Sequence, residues 1–253
     1  MDNLNPLTII LAAIPGLAIS AYIYYQDRHE KEPSQLVIAS FILGMLSTVP
    51  AIYMEQFGMS LGLDVSDSLV ITFLFAFLVV GFSEELVKFA VLRGYIYHQK
   101  AFNEPMDGIV YAVMISMGFA TLENFMYSSY GIKTTIIRAF TAVPAHAAFA
   151  VMMGYYVGLA KFADKKKEVL HLFMGLTGAI LLHGAYDFFI FQNMYPALGG
   201  LTIVTLIVGI VLGRRMIQDH EDNSPFKDPQ PNDDFQAMDD FTEGYDKRDN
   251  FFS

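Results

Sequence analysis

Residues 69–88 read LVITFLFAFLVVGFSEELVK. An unbroken apolar run is long enough to enter a bilayer as a helix, yet it carries Glu84, Glu85 and Lys88 inside the same segment. Glu84 and Lys88 are four residues apart and share a helix face, so they can pair. Glu85 points about 100° away and is free to meet another element. The fold is decided here. The stretch reads as a membrane-spanning helix with a polar patch that must be satisfied from neighbouring helices.

Working outward, six more segments have the length and composition of spans: roughly 4–25, 34–56, 107–127, 137–160, 169–191 and 197–217, with the third taken as 68–92. Mean hydropathy is +0.39 and 54% of residues are apolar, values that suit a polytopic all-α membrane protein of about seven transmembrane helices. The net charge of −10 is concentrated at one end: residues 219–253 hold 11 acids and 3 bases, or −8, which leaves −2 for everything before them. Two units follow, a helical membrane domain over 1–217 and an acidic tail over 218–253 whose Asp, Asn and Pro content predicts disorder. There is no basic stripe for nucleic acid. Cysteine is absent, which removes thiol nucleophiles, thiolate metal sites and disulfides.

Loop charges predict the orientation. Arg28, Lys31, Arg93, Lys100, Lys161, Lys165, Lys166, Lys167, Arg214 and Arg215 fall on one side, and only Lys133 and Arg138 on the other. The positive-inside rule then puts the N-terminus outside and the tail in the cytoplasm.

Seven ionisable groups lie inside the apolar segments: Glu84, Glu85, Lys88, Glu123, His146, His183 and Asp187. The five formally charged ones would cost up to ~15 kcal/mol if left unpaired near a bilayer centre. The expectation is one polar site assembled from four helices. Glu123 has Asn124 beside it. His146 lies on a face with Ala150, Gly154 and Gly158, and His183 and Asp187 share a face with Gly175 and Ala179. Small residues at that spacing let helices approach closely. His183 and Asp187 can hold a metal or a water together, or the carboxylate can orient the ring. Other motifs fail: Gly58-x-Ser60-x-Gly62 lies in a loop rather than on a strand-turn-helix elbow, and no H-E-x-x-H zinc signature is present.

These elements, in this order, resemble the PrsW family of bacterial membrane proteases, within the superfamily of CAAX prenyl endopeptidases. Glu84-Glu85-x-x-Lys88 matches the first motif. Phe119 with Glu123 matches the second, where the CAAX branch carries histidine. His146 matches the third, and His183-x-x-x-Asp187 the last. The resemblance covers roughly residues 5–217. It implies a multi-pass protein of the bacterial cell membrane that hydrolyses a peptide bond of a membrane-tethered substrate, a single-pass anti-sigma factor by analogy.

On that reading Glu84 or Glu85 activates water, and Lys88 pairs with the glutamates. His146, His183 and Asn124 bind the oxyanion or a divalent ion. The cofactor is left open. Zinc held by His146, His183 and Glu123 is one form, but a metal-free site is preferred because no helix carries a known ligand spacing. The alternatives are a proton- or ion-coupled transporter that uses the same groups as a relay, and a non-catalytic scaffold.

One measurement conflicts with a single site. At 1.5 Å per residue, His146 falls about 14 Å below the outer surface, His183 about 12 Å, Glu123 and Asp187 about 6 Å, and Glu84 about 24 Å. Straight helices with these boundaries do not bring them together. Because most of the set lies in the outer half, access is expected from outside.

Overall fold

The computed structural model describes residues 6–227. The acidic tail from residue 228 onward therefore lies outside the described residues, and so does its expected disorder. Among the described residues there is no strand. Seven helical stretches are long and apolar enough to cross a membrane.

In chain order the helices are α1 (Pro6–Gln26), α2 (Ser34–Ser60), α3 (Leu69–Leu74), α4 (Phe82–Gly94), α5 (Pro105–Tyr127), α6 (Ile132–Phe140), α7 (Ala142–Phe162), α8 (Lys165–Phe191) and α9 (Gly200–Asp222). A seven-residue π-helical segment, Phe75–Gly81, joins α3 to α4 into one long span.

Helix α5 is the axis of the bundle. Residues Met106 to Ala120 are buried without interruption, as expected for a helix that is apolar all round. Helices α1, α2 and α7 pack directly on it, and α8 and α9 lie outside α7. The outer faces carry exposed Leu17, Ile42, Leu46, Phe173, Leu181 and Ile207, the surface that lipid would cover.

Small residues set the inter-helix distances. A Cβ at Gly44 or Gly118 would collide with the backbone of the facing helix, and one at Gly108 would run into Gly154 and Gly158. Thus α2, α5 and α7 approach at backbone contact, the packing that small residues permit where apolar burial gives no driving force between helices.

Several boundaries differ from the sequence expectation: α2 runs on to Ser60 rather than 56, which puts Gly58 and Ser60 in its last turn instead of a loop, and α8 begins at Lys165 rather than 169. The fifth span begins at Ala142 rather than 137, and residues 132–140 form the separate helix α6. Pro144 explains the break: in a continuous helix its ring would clash with the carbonyl of Phe140, four residues back, whereas near the start of α7 its missing N–H costs nothing. The last span continues to Asp222, five residues past the expected end.

The depth conflict also resolves. Phe75, not Leu69, is level with the end of α8: its ring lies 5.6 Å from that of Phe191, and Phe73 lies 5.8 Å from Phe188. Glu84 is therefore nine residues in from that level and His183 eight, which brings them to the same height. Glu84 Oε2 lies 4.0 Å from His183 Nε2, and the zero of the scale had been set too far out along span 3.

Candidate active site

Helix α4 begins where the π segment ends, and its first turn carries Glu84 and Glu85. Gly81 lets α8 come close, since a Cβ there would sit 3.2 Å from the Gly184 nitrogen. That contact places His183 against Glu85, with Nδ1 2.8 Å from Oε1. The other ring nitrogen, Nε2, lies 3.2 Å from Asp187 Oδ2. Both nitrogens of His183 thus face carboxylate oxygens, and Phe149 stacks on the ring at 4.8 Å.

Lys88 is the hub. Its Nζ lies 2.8 Å from Glu85 Oε1, 3.1 Å from Glu84 Oε2 and 3.2 Å from His146 Nδ1. An ammonium has three donors and no acceptor, so these contacts use all of them. The Phe119 ring lies beneath it at 4.1 Å. Because Lys88 donates to Nδ1 of His146, the ring's proton is on Nε2, which donates to Glu123 Oε2 at 2.9 Å. Glu123 is held on its other oxygen by Arg138 at 2.8 Å. Arg138 in turn lies over the Tyr127 ring at 4.0 Å.

Of the eight residues singled out in the sequence, seven meet in this network. Asn124 does not join them: its Nδ2 donates to the Ala12 carbonyl at 3.1 Å and ties α5 to α1. The sequence reading had passed over Arg138 and Glu55. Arg138 had been counted as a loop charge although it fell inside the span drawn from 137, and an intramembrane cation was the available signal. Glu55 stood one residue from the drawn end of span 2 and was not counted among the intramembrane groups.

A cavity of about 710 Å³ opens onto the network. Glu84, Glu123, His146, His183 and Asp187 line it, together with Glu55 and Arg138. Glu85 and Lys88 lie behind Glu84, with Glu85 at 0% exposure. The cavity also reaches Asp64, Val65 and Tyr130, in the loops at the end opposite Arg93, Lys161 and Lys165. Its apolar walls include Ile52, Met59, Phe75, Ile137 and Ile190, a lining suited to an extended peptide with apolar side chains.

The donor set accommodates a divalent ion. Glu84, Glu85, His146 and His183 each offer one ligand atom, all within 4.8 Å of one another, and Glu85 Oε2 is buried with no hydrogen-bond partner. This differs from the set expected in the sequence: Glu123 is held between Arg138 and His146, and Glu84 and Glu85 take its place. Two imidazoles with carboxylates suit zinc.

Residues 32–213 match the family described as "PrsW family intramembrane metalloprotease". Proteins named "Protease PrsW" are similar over most of their length. That of Geobacillus kaustophilus is 39% identical over 68% of this chain and 75% of its own. The Bacillus subtilis protein is 38% identical over 71% and 81%, and the Oceanobacillus iheyensis protein 40% identical over 72% and 82%. No solved structure is significantly similar. The chain, a multi-pass membrane protein by its seven apolar helices, belongs to the PrsW family of intramembrane proteases.

Proposed function

We propose that this protease cleaves a peptide bond of a membrane-tethered protein with Glu84 as the general base. The observation that carries the reading is the asymmetry of the two glutamates. Glu84 lines the cavity, whereas Glu85 is fully buried between Lys88 and His183. Only the first can touch a water placed against a substrate carbonyl.

In this scheme Glu84 takes a proton from water as its oxygen attacks the carbonyl carbon. The C–N bond then breaks, and the same proton passes to the departing amine. His146 and His183 border the cavity, and in this scheme Nε2–H of His146 leaves Glu123, or Nε2–H of His183 leaves Asp187, to donate to the oxyanion as it forms. Lys88 holds Glu84 in one rotamer, and Glu85 holds His183. If a divalent ion is bound, Glu84, Glu85, His146 and His183 are the residues that hold it, and it supplies Lewis acidity toward the carbonyl.

The substrate class follows from the cavity's position. It opens at the end away from the basic loops, which the positive-inside rule assigns to the outside. Cleavage then falls in the outer juxtamembrane stretch of a single-pass protein, of which an anti-sigma factor is the example suggested by family resemblance. Family membership favours hydrolysis over the transporter and scaffold readings.

The test compares new protein N-termini in membranes from cells that make wild type, Glu84→Gln or Glu85→Gln at equal abundance. Termini outside the spans of single-pass proteins should appear with wild type and vanish with Glu84→Gln. Identical lists for wild type and Glu84→Gln would remove Glu84 as the base.

A further inference from the structure

A second buried acidic cluster lies at the end of the bundle that carries the basic loops, away from the active site. Asp27, Glu30 and Glu32 come from the connection between α1 and α2, and Glu104 and Asp107 from the start of α5. One carboxylate oxygen from each of Glu30, Glu104 and Asp107 lies within 4.8 Å of the others. Asp27 and Asp107 are 0% exposed, and Glu32 and Glu104 are 1% exposed.

Each of three carboxylates is anchored by one oxygen and unpaired at the other. Glu32 Oε2 accepts from the Tyr111 hydroxyl, and Glu104 Oε2 from the Ser224 hydroxyl. Asp107 Oδ2 accepts from the backbone N–H groups of Asn103, at 2.6 Å, and Glu104, at 2.9 Å. Among the described residues, Glu32 Oε1, Glu104 Oε1, Asp107 Oδ1, Glu30 Oε2 and both oxygens of Asp27 are buried with no hydrogen-bond partner. Six buried acceptors in one place with no donor is far from the usual satisfaction of buried polar atoms.

The nearby bases do not fill the gap. Lys31 gives its ammonium to the backbone carbonyls of Tyr24 and Asp27. Arg28 and His29 approach only Glu221, at 4.0 Å and 3.9 Å.

We infer that Glu30, Glu104 and Asp107, with Asp27 buried beside them, bind a hard divalent cation, with Ca²⁺ the best fit. The donors are oxygens, with no imidazole or thiolate among them. Calcium accepts six to eight such ligands in irregular geometry, whereas Mg²⁺ demands a near-ideal octahedron. The ion would clasp the α1–α2 connection to the first turn of α5. Through Ser224 it would also reach the end of α9, where the chain leaves the bundle toward the acidic tail. This inference does not depend on the proteolytic mechanism.

The test uses the purified full chain in detergent after EDTA treatment, titrated with CaCl₂. One readout is Tm. The other is Tb³⁺ luminescence excited through tyrosine, since the chain has no tryptophan and Tyr111 touches Glu32. Calcium should raise Tm and displace Tb³⁺ in wild type and equally in Glu84→Gln/Glu85→Gln, which places the effect outside the active site. The Asp27→Asn/Glu104→Gln variant should lose both responses. With EDTA present it should melt no lower than wild type, because two carboxyls with buried oxygens that lack hydrogen-bond partners are gone.

Three results would overturn the inference: no response of wild type to millimolar Ca²⁺, a response that survives in Asp27→Asn/Glu104→Gln, or one lost in Glu84→Gln/Glu85→Gln instead. The first would mean that the carboxyls share protons, as Glu32 and Asp107 are placed to do. The second would assign the binding to the acidic tail.

Discussion

Nδ1 of His183 lies 2.8 Å from Oε1 of Glu85, and this bond joins α8 to α4 across the narrow contact between Gly184 and the π segment. The residues are 98 positions apart in the chain. Their meeting orients the ring that faces the cavity and keeps Glu85 buried between His183 and Lys88.

Lys88 neutralises two buried carboxylates at once. Removing one member of such a buried set leaves uncompensated charge and costs about 3–5 kcal/mol. Lys88→Met should lose cleavage and melt well below wild type. Thermal melts in detergent beside a cleavage assay would check both, and an unchanged Tm would mean that the ammonium is not the hub.

Asn124 separates a catalytic from a packing role. Its amide reaches α1, not the cavity, so Asn124→Ala should lower stability by about 1 kcal/mol and leave the chemical step intact. Single-turnover rates set against Tm would read the two effects apart.

Gly184 faces the ring of Phe77, which a Cβ would meet at 2.5 Å. Gly184→Val should push α8 away from the π segment, at about 1–3 kcal/mol for overpacking. It should also separate His183 from Glu85 and abolish cleavage. A variant that still cleaves at the wild-type rate would show that the network tolerates the displacement.

Arg138 holds one oxygen of Glu123 while His146 holds the other. Arg138→Gln should free Glu123 to turn, loosen His146 and slow cleavage. Arg138→Lys should restore part of the rate by keeping the charge without the planar fork. Equal rates for the three proteins would remove Arg138 from the machinery.

Burial pushes the Asp27 carboxyl up to about 7 and that of Glu104 up to about 8. Both exceed the ordinary carboxyl values, so between about pH 4 and 8 the folded chain holds protons that the unfolded chain has released. Stability from these groups is therefore fully present below about pH 4 and is lost as pH rises toward 8. Melts in EDTA should show a lower Tm at pH 8 than at pH 5, with Ca²⁺ narrowing the gap.

Much was legible in the residues alone because it depends on local properties. Apolar length marks the seven spans, and the cost of an unpaired intramembrane charge marks Glu84, Glu85, Lys88, Glu123, His146, His183 and Asp187 as belonging together. Pairings were not legible, because they depend on where helices start and how closely they approach. Pro144 splits α6 from α7 and brings in Arg138. The Phe75–Phe191 contact sets the height at which Glu84 meets His183.

Asn124 looked like its neighbour Glu123, yet one step of about 100° along the helix turned it toward α1. The sequence reading had passed over Asp27, Glu30, Glu104 and Asp107, and the fold brought two distant segments together and left their oxygens without donors. Hydrophobicity and spacing determined which residues enter the membrane. Only the tertiary contacts decided which of them touch one another.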